Sequence, residues 1–212
     1  MVAWDEEMLM WDDPHGLVFI GGDLEPESLL EAYRRGIFPW FNEDDPYLWW
    51  SPDPRSIFNL ETIHFSKRLM RTVRQQKFHV TMNAAFPAVM QSASIRPEGT
   101  WITDDMYDAY CELHRLGFAH SVETWLNGKL AGGIYGVALG GFFAAESMFH
   151  FATDAGMVAM VKLVDHLRQQ GFALLDTQMA TEHTRKIGAF DIPRDVYLQL
   201  LDTALALPVS FR

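Results

Sequence analysis

AHSVETWLNGKLAGGIYGVALGGFFAAESMF, residues 119–149, is the stretch whose reading decides the fold. Ser121 to Leu126 alternates and carries Val122 and Trp125. Asn127-Gly128 follows, and both residues tolerate positive φ, which favours a two-residue hairpin turn. Lys129 to Leu139 reads as the return strand. Gly140-Gly141 supplies a second tight turn and Phe142 to Phe149 a third strand, so the stretch predicts a β-meander. Gly132, Gly133 and Gly136 fall inside the second strand, where glycine marks a bulge or the close approach of a ligand or another backbone. Glu146 stands in the apolar run FFAAESMF. A carboxylate there is costly unless it is paired or used. Two readings follow: a site residue, or a strand-end glutamate facing solvent.

On the C-terminal side, Asp154 to Gln170 reads as a helix with Val158, Val161, Val164 and Leu167 inward, stopped by Gly171. Phe172 to Gln178 reads as a strand. Its alternation puts Leu174, Asp176 and Gln178 on one face and Leu175 and Thr177 on the other. A carboxylate and an amide so placed can converge on one ligand atom, or can simply bond the following turn. Glu182 to Ile187 predicts a short helix, and a last helix runs from near Pro193-Arg194 to about Leu205.

On the N-terminal side, Thr103 can cap a helix stopped by Gly117. Phe78 to Met82 reads as a strand, and Asn83 as the cap of a helix through about Ser92. Phe65 to Lys77 reads as an amphipathic helix capped by Ser66. Lys67, Arg68, Arg71 and Arg74 lie on the arc opposite Phe65, Leu69, Met70 and Val73, with Lys77 just beyond. A charged stripe is usually a solvated face. Five like charges in an acidic chain favour a polyanion contact. Further upstream, prolines at 39, 46, 52 and 54 exclude a regular helix around Trp40, Trp49 and Trp50. Such aromatics are core by default, or stacking platforms for bases. Leu17 to Ile20 predicts a strand, and Pro26 opens a helix ending near Gly36.

The 212 residues suffice for one large domain or two small ones sharing a core, and 49% are hydrophobic. No apolar run approaches the roughly 20 residues of a membrane span. The acidic N-terminus, with Asp5, Glu6 and Glu7, lacks the basic region of a secretory signal, so a cytoplasmic location is expected. The single cysteine, Cys111, excludes a disulfide framework and, mid-helix, reads as packed rather than nucleophilic. Cys111 and His114 lack further metal-ligand spacing, so no metal is expected. The net charge of -11 argues against a nucleic-acid partner, but most of the excess negative charge lies before residue 62, where only Arg34, Arg35 and Arg55 oppose the acids.

The order of motifs resembles the bacterial leucyl/phenylalanyl-tRNA–protein transferase family. GGDL (21–24), AYRRGIFPWF (32–41), LWWSPDPR (48–55), VTMNAAF (80–86), GTWIT (99–103), AHSVETW (119–125), GGIYGVA (132–138), ESMF (146–149), DTQ (176–178) and EHT…IGAFDIPR (182–194) are collinear with it. Each is weak alone; ten in order are specific. The resemblance implies an α/β (α+β) fold. Its C-terminal part, 63–212, would be an acetyltransferase-like (GNAT-like) mixed sheet flanked by helices, and its smaller N-terminal α/β part would be 1–62. It implies transfer of Leu or Phe from aminoacyl-tRNA to the N-terminal α-amine of proteins beginning with Arg or Lys, tagging them for degradation. No cofactor is implied, and a monomer is expected.

By the same resemblance Asp176 orients or deprotonates the amine, Gln178 hydrogen-bonds at the reacting centre and Glu146 helps hold the amine or the carbonyl-bearing group. Ile134, Phe143, Met148, Leu163 and Leu167 would line the amino-acid pocket. Trp40 and Trp101 would stack the terminal adenosine, with Trp49 and Trp50 shaping the wall. Lys67, Arg68, Arg71 and Arg74 would contact tRNA phosphates. The chain departs from the family's pattern at His150-Phe151, where it usually has Ser-Arg, and at Ala155-Gly156-Met157, where it usually has Ala-Ser-Lys. Two positive charges beside a helix N-terminus are thereby absent. Thr177 replaces the usual Cys, which excludes a thiol nucleophile there. Two other readings compete: an acyl-CoA-dependent N-acetyltransferase, for which only Asp154-Ala155-Gly156 resembles a pyrophosphate loop, and a lapsed relative that only binds tRNA or peptide.

Overall fold

The computed structural model describes Trp4 and residues 9–95 and 100–212. Asp5, Glu6, Glu7 and the Gly99 that opens the GTWIT motif lie outside the described residues. In chain order the elements are β1 (Leu17–Ile20), α1 (Pro26–Arg34), β2 (Phe38–Pro39), β3 (Leu48–Trp50), β4 (Arg55–Phe58), α2 (Lys67–Arg74), β5 (His79–Met82), α3 (Phe86–Ser94), α4 (Asp104–Leu116), β6 (Ala119–Leu126), β7 (Lys129–Leu139), β8 (Phe142–His150), α5 (Ala155–Gln170), β9 (Leu174–Asp176), α6 (Glu182–Lys186), β10 (Phe190–Ile192) and α7 (Arg194–Leu205).

The meander forms as its turns dictate. Asn127 and Gly128 take φ of 52° and 74°, and β6, β7 and β8 pair antiparallel. From β8 the chain crosses through α5 to β9, which pairs parallel to β8. A helical crossover is what a parallel pair requires. The resulting mixed α/β sheet has the order β10-β4-β9-β8-β7-β6-β5, and a three-stranded sheet β1-β3-β2 stands beside it. Alternation then sorts the two faces. Tyr135, Val137, Phe142, Ala144 and Leu174 pack with α1, α3, α4 and α7. Ile134, Ala138, Phe143 and Leu175 pack with α5.

β4 lies on the N-terminal side of the expected boundary at residue 62, yet it is an interior strand of the large sheet, between β9 and β10. All four of its residues are buried. Local differences from the expectations have local causes. Asn83 does not cap α3; it sits at φ 57°, and its carbonyl takes the Ser121 amide at 3.1 Å, while Ala85 holds the cap position. The strand expected over 172–178 is only β9, because Ser56 on β4 draws the chain after Asp176 into a turn. Ser66 and Thr103 cap α2 and α4 as expected. No helix among the described residues is long and apolar enough to cross a membrane.

Candidate active site

The register of β7 against β8 breaks where the sequence places Gly136 and Glu146. Tyr135 faces Ser147 and Gly136 faces Ala145, so Glu146 is an extra residue opposite no partner. Such a bulge re-aims the side chain it frees. Gly136 permits it: a Cβ there would stand 2.0 Å from the Ala144 carbonyl oxygen. Glu146 thereby lines a cleft of about 460 Å³. On Glu146 Oε1 two donors converge, the Tyr33 hydroxyl at 2.8 Å and the Gln178 side-chain amide at 3.0 Å. Tyr33 spends its one hydrogen on Glu146, so Tyr110, whose hydroxyl is in short contact with it, donates in turn. Protein packed around the carboxyl makes ionisation costly and pushes its pKa up to about 8; the nearby Asp176 charge adds to this, while Tyr33 and Arg55 oppose it.

Gln178 also lines the cleft, but Asp176 does not. Asp176 is fully buried and turned inward. It receives Arg55 Nε at 3.0 Å on Oδ1 and Nη2 at 2.6 Å on Oδ2, the Tyr197 hydroxyl at 2.9 Å and the Gln178 amide nitrogen at 2.8 Å. Four donors occupy the carboxylate, which is turned away from the cleft. Gln178 lies past the end of β9 at φ 56°, which breaks the expected alternation and sends its side chain to Glu146.

The cleft wall holds Ile134 and Met148 as expected, and also Phe58, Ala145, Met160 and Ile187. Phe143, Leu163 and Leu167 are fully buried behind it, so they are core and not wall. Leu163 and Leu167 share a helical stripe with Met160, one and two turns further from the cleft. Trp40, exposed at 41%, and Trp101 border the opening. Trp49 is core, its indole N–H given to the Gly21 carbonyl at 2.9 Å. Trp50 braces Trp40: its N–H bonds the Trp40 carbonyl at 2.7 Å and the rings meet edge-on. Neither Trp49 nor Trp50 lines the cleft.

Lys67, Arg68, Arg71 and Arg74 are all exposed on α2. Arg68 is already engaged, bidentate to Asp154 at 2.6 Å through each nitrogen, and Thr72 adds a bond to the same carboxylate. The first turn of α5 is buried: a Cβ on Gly132 would stand 2.7 Å from the Gly156 nitrogen, and one on Gly156 2.7 Å from the Phe149 oxygen. That close packing fills the place where a pyrophosphate loop would have to open. Burial raises the pKa of the Cys111 thiol, which disfavours the reactive thiolate. Among the described residues no cluster of potential ligands could hold a metal ion.

Sequence reasoning missed Tyr33, Tyr110, Met160 and Arg55. Tyr33 and Tyr110 were legible only as apolar stripe positions, although a buried phenol requires a partner. Nothing in the local pattern around Arg55 distinguishes it from a surface charge.

The fold and cleft together define an α/β protein with a carboxyl–amide pair in the lining of a largely apolar pocket. A family model described as leucyl/phenylalanyl-tRNA protein transferase matches residues 57–202, and the corresponding N-terminal domain model matches residues 22–53. The leucyl/phenylalanyl-tRNA–protein transferase of Shewanella denitrificans is 50% identical over 190 residues, covering 89% of this chain and 82% of that protein. That of Magnetococcus marinus is 49% identical over 201 residues, covering 92% and 86%. Among solved structures, FemX is similar with a TM-score of 0.49 and 12% identity, over 83% of this chain and 71% of that one. The chain belongs to the leucyl/phenylalanyl-tRNA protein transferase family.

Proposed function

We propose that this cleft transfers Leu or Phe from aminoacyl-tRNA to the N-terminal α-amine of proteins beginning with Arg or Lys. The observation that carries the reading is the Glu146–Gln178 pair at the floor of a pocket lined by Met148, Met160, Ile134 and Phe58. Methionines adapt to both a branched and an aromatic side chain. The reaction is aminolysis of an ester. The amine nitrogen bonds the carbonyl carbon, the bond from that carbon to the ribose oxygen breaks, and the oxygen leaves with the proton the amine gives up. An α-amine has a pKa of about 7.7–8.0, so no covalent enzyme nucleophile is needed. The chain must align the substrates and stabilise the oxyanion.

In this reading Gln178 and the neutral Glu146 carboxyl address the reacting carbonyl and amine, and Asp176 holds Gln178 in place. Trp40 and Trp101 stack the terminal adenosine. Lys67, Arg71 and Arg74 meet acceptor-stem phosphates, and Arg68 joins them by releasing Asp154. The protein acts as a monomer in the cytoplasm. The test offers labelled Leu-tRNA and Phe-tRNA with peptides of varied N-terminus. Transfer to peptides with N-terminal Arg or Lys is expected. Transfer to neither, with acetyl-CoA accepted instead, would overturn the reading; binding without transfer would mark a lapsed relative.

A further inference from the structure

We propose that Arg55 is a positioning residue for the transfer step, joining the segment that carries Gln178 to the wall that carries Trp40. This rests on the proposed transfer reaction. Arg55 does not line the cleft: it is 1% exposed. Its guanidinium nevertheless joins two segments that each lead to a residue of the lining. Nε and Nη2 grip the two Asp176 oxygens, and Nη1 donates to the Gly36 carbonyl at 2.9 Å. The guanidinium's central carbon lies over the rings of Phe38, 4.9 Å from the centroid, and Tyr197, 4.5 Å from the centroid. Burial is the largest influence and works against the cation, but Asp176, Tyr197 and Glu146 together outweigh it and the Arg55 pKa rises.

Each end of this grip leads to a cleft residue in a few bonds. Asp176 Oδ1 takes the Gln178 amide nitrogen, and Gln178 adopts a left-handed φ of 56° that a non-glycine residue keeps only when its surroundings hold it. β4 supplies the rest of that hold. The Ser56 amide donates to the Gln178 carbonyl at 3.0 Å, Thr177 donates to the Ser56 carbonyl at 3.1 Å, and the Ala180 amide donates to Ser56 Oγ at 2.8 Å. On the other side, Gly36 and Phe38 lead directly into Pro39 and Trp40 of the wall. One planar fork therefore fixes the distance between the hydrogen-bonding floor and the aromatic border.

Lysine keeps the charge but not the fork, since an ammonium is a point charge without the planar two-pronged geometry. The test compares Arg55→Lys with the unaltered full chain in three measurements: single-turnover transfer from Leu-tRNA to a peptide with N-terminal Arg, the Kd for the same aminoacyl-tRNA, and amide hydrogen exchange. The expected result is a folded protein whose single-turnover rate falls on the order of 10²-fold, the usual cost of misplacing a reacting group by about 1 Å. Its Kd changes only a few-fold. The Gln178 and Ala180 amides lose protection while those of β6 and β7 keep theirs. A folded Arg55→Lys protein with unchanged rate and unchanged exchange at 176–180 overturns the proposal. So does a loss confined to Kd. If Arg55→Lys does not fold, Tyr197→Phe, which removes one neutral donor from Asp176, gives the same readings on a smaller scale, and unchanged rate and exchange there overturn it equally. Should the unaltered chain fail to transfer Leu or Phe at all, the functional reading fails by itself, and the exchange data still judge the role of Arg55.

Discussion

Glu146, to which the proposed function gives a part in the chemistry, also bears on stability. Its folded pKa of about 8 lies above the ordinary value of 4.5, so the folded state holds a proton that the unfolded chain has released between those two values. The stability from this group is fully present below about pH 4.5 and is lost as pH rises through 8. The groups facing it are Tyr33, Gln178, Asp176 and Arg55, with Tyr110 behind Tyr33. Glu146→Gln keeps the acceptor for Tyr33 and Gln178 and removes the titration. It is expected to flatten the fall of Tm over that pH range. The rate profile gives a second reading. Transfer by the unaltered chain rises with pH as the amine loses its proton, near about 7.7–8.0, and falls as Glu146 ionises. The Glu146→Gln variant should lose the falling limb; a limb that persists assigns it to another group. Met148 tests the wall in the same way. Met148→Ala is expected to change the preference between Leu and Phe donors by about 1–3 kcal/mol, read from the ratio of kcat/KM values. Equal losses for both donors would make Met148 structural.

Elements whose turns carry their own chemistry were legible in the sequence, and elements defined by distant partners were not. The meander follows from Asn127-Gly128 and Gly140-Gly141, and α2, α4 and α5 follow from their caps and stripes. The three-residue strand β9 and the four-residue strand β4 have no local signature: β4 pairs only with strands more than a hundred residues away, and β9 is held between β4 and β8. The site was legible to the same degree. Glu146 stood out as a charge in an apolar strand, open to two readings, and Gly136 was one of three strand glycines that mark either a bulge or a close approach. The alternation argument for Asp176 and Gln178 failed because the strand ended between them. Gly136→Ala is accordingly expected to be severe, since the new Cβ meets the Ala144 carbonyl oxygen first and the buried Phe143 ring next. Overpacking typically costs about 1–3 kcal/mol, and here the clash also threatens the bulge that aims Glu146. A lower Tm with lost transfer is the expected pair of results. Helix α2 makes a separate prediction. Replacing Lys67, Arg71 and Arg74 with Ala should reduce the slope of log affinity for tRNA against log salt, by roughly 0.7–0.9 for each phosphate contact removed. Tm should barely move, because these charges are exposed. An unaltered slope would remove α2 from the tRNA interface.

At the scale of the whole molecule, the large sheet takes strands from both sides of residue 62. Strand β4 enters the large sheet from the N-terminal segment and lies between β9 and β10. Without it β9 loses one of its two neighbours, and Asp176 loses the Arg55 cation that compensates its buried charge. Removing one partner of such a pair is strongly destabilising, by about 3–5 kcal/mol, because the other charge is left uncompensated. That is a large share of the roughly 5–15 kcal/mol that holds a typical domain together. The small sheet is bound into the same unit: Arg194 of α7 donates to the Ser51 carbonyl just after β3 and to the Trp11 carbonyl, at 2.8 Å each. Residues 63–212 expressed alone are therefore expected not to fold, and the full chain should unfold in one transition by calorimetry. Asp176→Asn provides the graded version of this experiment. It keeps the shape, leaves Arg55 facing a neutral amide, and should lower Tm within that single transition rather than split it in two. A folded 63–212 fragment with native circular dichroism, or two separated transitions in the full chain, would show instead that the N-terminal segment is an independent domain.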